Sequence, residues 1–143
     1  MIIVSACLCG IPCRYNGSAS AFDEIVRLVA RGEAMPICPE CLGGLGIPRL
    51  PCELTDTGEK VLDGQARAVA KDGLDLTDAF VQGARLSLEI ARRHGATSAI
   101  LKANSPSCGC GEIYDGTFLN QKRPGNGVTA ALFVRNGIRV QTL

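Results

Sequence analysis

The chain has no tryptophan, a single histidine (His94), four phenylalanines and two tyrosines among its 143 residues. So few rings leave little with which to stack on nucleic-acid bases. Lysine and arginine total 15 against 14 acidic residues, a formal charge of +1, with the two signs intermixed. No basic stripe marks a nucleic-acid face, which argues against nucleic acid as a partner. No apolar run approaches the ~18 residues of a membrane-spanning helix, so no membrane partner is expected. The opening residues, MIIVSACLCG, carry no basic leader and interrupt their apolar run with Cys and Gly. That is not a secretory pattern, and the expected location is cytoplasmic. With one histidine, any metal site must be built mostly from thiolate, which favours zinc or iron–sulfur over harder ions.

What the chain has in abundance is cysteine, with eight at positions 7, 9, 13, 38, 41, 52, 108 and 110. A reducing compartment argues against a disulfide framework. Buried cysteine is also a serviceable small hydrophobe, so three or four of the eight are expected to carry chemistry and the rest to pack. Hydrophobic residues make up 46% and charged ones 20%, the balance of a soluble globular protein. The length suits one domain, residues 1–143, with its own core. A monomer or weak homodimer is expected.

Hydrophobic periodicity organises the chain into alternating strands and helices. IIVSA (2–6) reads as a buried strand. Ser20 to Asp23 resembles a capping box opening a helix with Phe22, Ile25, Val26 and Val29 on its apolar face, ending at Gly32. AMPIC (34–38) is a second strand. Residues 43–58, rich in Gly and Pro, read as loop. Asp63-Gly64 and Asp72-Gly73 punctuate KVL and ARAVA, the pattern of a small β-hairpin excursion. Thr77 or Asp75 caps a helix with Phe80, Ala84, Leu88 and Ala91 at helical spacing. His94 lies at its C-terminus, where a cation is favoured. SAILK (98–102) is a third strand, GVTAALFVRNG (127–137) a short helix and IRV (138–140) a last strand. The resulting expectation is a single-domain three-layer α/β sandwich on a mostly parallel, Rossmann-like sheet, with the hairpin as an excursion.

In such sheets ligands bind beyond the C-terminal ends of the strands. Cys7 follows the first strand, Cys38 ends the second, and Cys108 lies in the loop after the third. Three chemistries compete for them. Four thiolates from Cys38, Cys41, Cys108 and Cys110 would make a structural zinc site, although C-x-C is a poor second knuckle. Cys38-x-x-Cys41 would make a redox pair, although such pairs usually begin a helix, and Gly43-Gly44 argue against one here. An iron–sulfur cluster with fewer protein ligands than irons fits three cysteines on three loops. Spacing alone does not choose among them.

VSACLCGIPCRYNG (4–17), CPECLGGLGIPR (38–49), LDGQARAV (62–69), LKANSPSCG (101–109) and IYDGTF with GVTAALFVRNGI (113–138) together resemble one family. It is the thiouracil desulfurase (desulfidase) family, also catalogued as domain of unknown function 523, and the match runs in order along nearly the whole chain. The resemblance implies a [4Fe-4S] cluster held by three cysteines, which fall on Cys7, Cys38 and Cys108. It also implies functional roles for Glu40 of CPE and Ser105 of SPSCG. Cys9 stands where Leu is commoner, Cys41 and Cys110 are extra, and Cys13 is not carried over as a ligand. The implied activity is non-redox desulfuration of a small thiolated pyrimidine or nucleotide, thiouracil giving uracil and sulfide. The substrate sulfur would bind the iron that lacks a protein ligand. Glu40 would activate water and Ser105 would position the substrate or share its protons. The rival class is an iron–sulfur carrier or a sulfur-transfer or redox module, which would need no carboxylate beside a ligand.

Overall fold

The computed structural model describes residues 1–143. In chain order it contains β1 (Ile2–Ser5), a 3-10 turn (Ala6–Cys9), α1 (Asp23–Ala30), β2 (Ala34–Ile37), α2 (Pro39–Leu42) and β3 (Cys52–Leu54). There follow α3 (Gly58–Leu62), β4 (Ala68–Ala70), α4 (Thr77–Arg93), β5 (Ser98–Leu101), β6 (Glu112–Tyr114), β7 (Lys122–Pro124), α5 (Val128–Arg135) and β8 (Arg139–Thr142). Four strands make the central sheet in the order β2-β1-β5-β8, and every pairing in it is parallel. Pro36, which cannot donate to a ladder, sits on edge strand β2, where that loss is tolerated.

Period-2 alternation builds the layers. Ile3, Ala99 and Leu101 face α4 and α5, packing with Leu88, Ala91, Ala130 and Phe133. Val4 faces the opposite side, with Ile25 of α1 and Ala34. The expected three-layer α/β arrangement is therefore present. Phe80, Ala84, Leu88 and Ala91 form the buried stripe of α4 as their spacing requires. Thr77 takes the start of that helix, with Asp75 Oδ1 accepting from its backbone N–H at 2.9 Å. No helix is long and apolar enough to cross a membrane.

Several local expectations are corrected. The hairpin excursion exists, but its strands are β3 and β4, paired antiparallel with Cys52 opposite Ala70. KVL is helical in α3, because Thr57 caps it by accepting from Lys60 N–H. α1 has no capping box. Ser20 and Phe22 instead donate their backbone N–H groups to Cys7 and Leu8 carbonyls, strapping the segment across the 3-10 turn. Of the face expected for α1, Ile25 is buried while Phe22 and Val26 remain 39% exposed. Residues 112–124, for which no strand is expected from the sequence, also contain a hairpin, β6 with β7. Finally, Cys38 does begin a helix: it is the N-cap of α2, with Pro39 in the first turn.

Candidate active site

Cys7, Cys38 and Cys108 meet at the C-terminal edge of the sheet, on the wall of a cleft of about 370 Å³. Each is delivered by the end of a different strand. Cys7 lies in the turn directly after β1, 6% exposed. Cys38 follows β2 and caps α2, its carbonyl accepting from Leu42 N–H at 2.9 Å. Cys108 sits in the turn after β5, 5% exposed. The ends of β1 and β5 are tied by Ser5, whose Oγ accepts from Lys102 N–H at 2.9 Å.

The turn holding Cys108 is organised by Ser105. Its Oγ accepts from the backbone N–H groups of Ser107 at 3.1 Å and Cys108 at 3.0 Å, a local side-chain cap. Gly109 closes the turn by donating to Ser105 O. A Cβ at Gly109 would lie 2.7 Å from that same carbonyl, so the position requires glycine.

Glu40 stands in α2, two residues after Cys38, with its side chain 15% exposed. Arg49 grips one oxygen of it: Nε donates to Oε2 at 2.8 Å and Nη2 reaches the same atom. The guanidinium is itself pinned by the carbonyls of Gly46 at 3.2 Å and Cys13 at 3.3 Å. Burial opposes the charge on Arg49, yet Glu40 beside it raises its pKa above the ordinary value. Glu40 lines the cleft, and its Oε1 takes no part in the bonds with Arg49.

All eight cysteines are free thiols. The contact with the Cys13 thiol lowers the pKa of Cys7 against the opposing effect of burial, and Lys102 helps. The same Cys13, followed by burial, pushes the Cys38 thiol up. Burial pushes Cys108 up to about 11, and burial then Glu40 push Cys52 up to about 12. Cys13, 6% exposed, thus stands between two of the expected ligands.

The competing chemistries separate on this geometry. Of the four thiolates weighed for zinc, Cys38 and Cys108 line the cleft and Cys41 and Cys110 do not. Cys110 lies off the cleft, raised by burial and by Glu59. Cys38 and Cys41 do flank a helix start, but a redox nucleophile needs a lowered thiol pKa and Cys38 has a raised one.

The sequence gives Arg49 no signal beyond its place at the end of CPECLGGLGIPR, because its role depends on a turn that brings it back over α2. Lys102, Arg14 and Tyr15 line the cleft. Asn16 does not; its Oδ1 accepts from Ser18.

The 2-thiouracil desulfurase family model matches residues 2–142. The chain belongs to that family. A Bacillus subtilis (strain 168) relative, the uncharacterized protein YbbK, is 50% identical over 141 residues, spanning 98% of this chain and 93% of its own. A solved structure described as the [4Fe-4S]-dependent thiouracil desulfidase TudS is 43% identical and superposes with a TM-score of 0.87. It spans 99% of this chain and 89% of its own. In this member of the desulfurase family, then, the three-strand cysteine set, Glu40 and Ser105 share one cleft.

Proposed function

We propose that this protein converts thiolated pyrimidines to their oxo forms, thiouracil and water giving uracil and hydrogen sulfide, with no net electron transfer. The observation that carries the proposal is the meeting of Cys7, Cys38 and Cys108, from three strand ends, beside a carboxylate fixed by Arg49. The donor set suits a [4Fe-4S] cluster: three soft, disulfide-free thiols from three separate strand ends on the wall of one cleft. When bound, the cluster supplies an iron without a protein ligand, a thiophilic Lewis acid for the departing sulfur.

The protein's own groups do the rest. Glu40 offers Oε1 to a water and takes its proton as the oxygen adds to the ring carbon, while Arg49 holds the carboxylate in one orientation. Ser105 has both acceptor positions turned toward backbone N–H groups, so its remaining function is to donate its own hydrogen to the substrate. Leu50, Pro51 and Phe118 give the cleft an apolar wall that limits stray water. Arg14, Lys71 and Lys102 line it without forming an ion pair, a positive rim that also suits the phosphate of a thiolated nucleotide.

Anaerobically reconstituted protein incubated with 2-thiouracil or 4-thiouracil should yield uracil and sulfide with no reductant or oxidant added. Glu40→Ala should retain iron and lose turnover by about 10²- to 10⁴-fold. A requirement for an electron donor would remove the hydrolytic scheme. Failure of every thioamide, with cluster transfer to an acceptor protein, would replace the enzyme by a carrier.

A further inference from the structure

Three residues other than glycine have positive φ: Asn104 at 65°, Phe118 at 60° and Asn120 at 58°. All three line the cleft. The left-handed region is mildly accessible to Asn and costly for Phe, and such conformations persist where surrounding contacts enforce them. The enforcing contacts are visible at Phe118. Glu53 Oε1 accepts from the backbone N–H groups of Gly116 at 3.0 Å and Phe118 at 3.1 Å. A Cβ at Gly116 would lie 2.6 Å from Leu54 O, so the loop between β6 and β7 rests directly on the backbone of β3.

The side chains repeat the pattern. Of the five asparagines, Asn16, Asn126 and Asn136 use their carboxamides in hydrogen bonds that hold the fold. Those of Asn104 and Asn120, the two in the cleft, make no hydrogen bond to the protein. Asn104 stands next to Ser105, on the loop that carries Cys108. Aromatic rings are scarce throughout the chain, yet Tyr15, Tyr114 and Phe118, half of the total, line the cleft.

From this we infer that Asn104 reads the amide edge of the pyrimidine while Phe118 covers the ring. The inference rests on the desulfuration reading for the identity of the ligand. A uracil with one carbonyl oxygen replaced by sulfur still presents an N3–H beside the remaining carbonyl, a donor next to an acceptor, as uracil itself does. A carboxamide offers the complementary acceptor and donor in one plane and can pair with both at once. Bases lifted out of a helix are recognised this way, by their pairing edge and by aromatic cover. Asn120, also in the lining but exposed, has the same unpaired carboxamide.

The test is equilibrium titration of the anaerobic holo-protein with uracil and with 3-methyluracil, neither of which carries sulfur to be removed. The wild-type protein should prefer uracil by about ten- to hundredfold, the discrimination of one good bidentate pair. Asn104→Gly keeps the left-handed backbone and removes the carboxamide, and it should bring the two ligands to within about threefold of each other. Phe118→Gly should weaken both about tenfold or more and leave their ratio unchanged. Equal binding of the two ligands by the wild type, or full discrimination retained by Asn104→Gly, overturns the inference. A protein that discriminates as expected but turns over no thiouracil sinks the reaction and leaves the base-reading assignment standing.

Discussion

Gly83→Ala should destabilise this protein, against the usual sign of such a change. Glycine in the middle of a helix is less favourable than alanine by about 1 kcal/mol, and Gly83 lies within the 17-residue α4. Its environment reverses the expectation. A Cβ at Gly83 would stand 2.0 Å from Pro39 O, and one at Gly43 would stand 2.1 Å from Ala79 O. The two glycines face each other across the crossing of α2 and α4, backbone against backbone. Since real Cβ contacts essentially never fall under 3.0 Å, the added methyl must push α2 away by about 1 Å, an overpacking that costs about 1–3 kcal/mol or more.

With the helix-propensity gain of about 1 kcal/mol set against it, the net loss should be up to about 2 kcal/mol, a fall in Tm of up to roughly 7 °C for a domain of this size. The displaced element carries Cys38 at its cap and Glu40 in its first turn. A shift of that size at reacting groups can reduce turnover by about 100-fold. Thermal unfolding and desulfuration rate together check the reasoning, with exposed Gln82→Ala of the same helix as the control, expected within about 0.5 kcal/mol of wild type. A Gly83→Ala protein with raised Tm and full activity would show that α2 does not depend on the close approach.

Replacing Cys7, Cys38 or Cys108 singly by Ser should abolish stable cluster binding, whereas Cys41→Ser and Cys110→Ser should keep it, as read by iron and sulfide content; loss in Cys41→Ser with retention in Cys7→Ser would reverse the assignment. Arg49→Met leaves a nearly buried carboxylate without its partner and should cost about 3 kcal/mol in urea unfolding; Arg49→Lys should recover only part, because an ammonium cannot present the guanidinium fork. Burial raises Cys108 to about 11, and Cys13 with burial raises Cys38, so both are neutral thiols near pH 7 and must lose protons to bind iron. Reconstitution should therefore release about two protons per chain or more and tighten from about pH 6 to pH 8, measured by calorimetry in buffers of different ionisation enthalpy; pH-independent uptake would contradict the raised values.

The sheet was legible because three of its strands, β1, β2 and β5, fall in short, mostly apolar runs and α4 has an uninterrupted helical stripe, signals that tertiary contacts reinforce. The errors share a cause. Gly43-Gly44 looked like a barrier to a helix at Cys38, but Gly43 is where α2 meets α4, and its missing side chain is used for contact instead of flexibility. KVL is as compatible with a helix turn as with a strand, and only Thr57 and the packing of α3 on α5 decide it. Strands β6 and β7 are three residues each, too short for alternation to register.

The site divides along the same line. Cys7, Cys38 and Cys108 could be grouped from sequence because each lies in the segment that leaves the C-terminal end of a strand, and a parallel sheet brings strand ends to one edge whatever lies between them. Cys13 and Arg49 could not, since each reaches the cleft from an irregular loop, Cys13 from the one between the 3-10 turn and α1 and Arg49 from the one that follows α2. Asn104 and Phe118 declare themselves through backbone angles, which no residue spacing encodes. This division has a physical logic. Thiols that must converge on one group are placed by the rigid sheet. The residues that would hold water or substrate partly share the cysteines' own elements, Glu40 in the helix that Cys38 caps and Asn104 and Ser105 on the loop that carries Cys108, whereas Phe118 comes from a separate loop pinned by Glu53. A change at Glu53 should accordingly disturb base recognition while leaving iron content intact, because its two hydrogen bonds hold the Phe118 loop and touch none of the three cysteines.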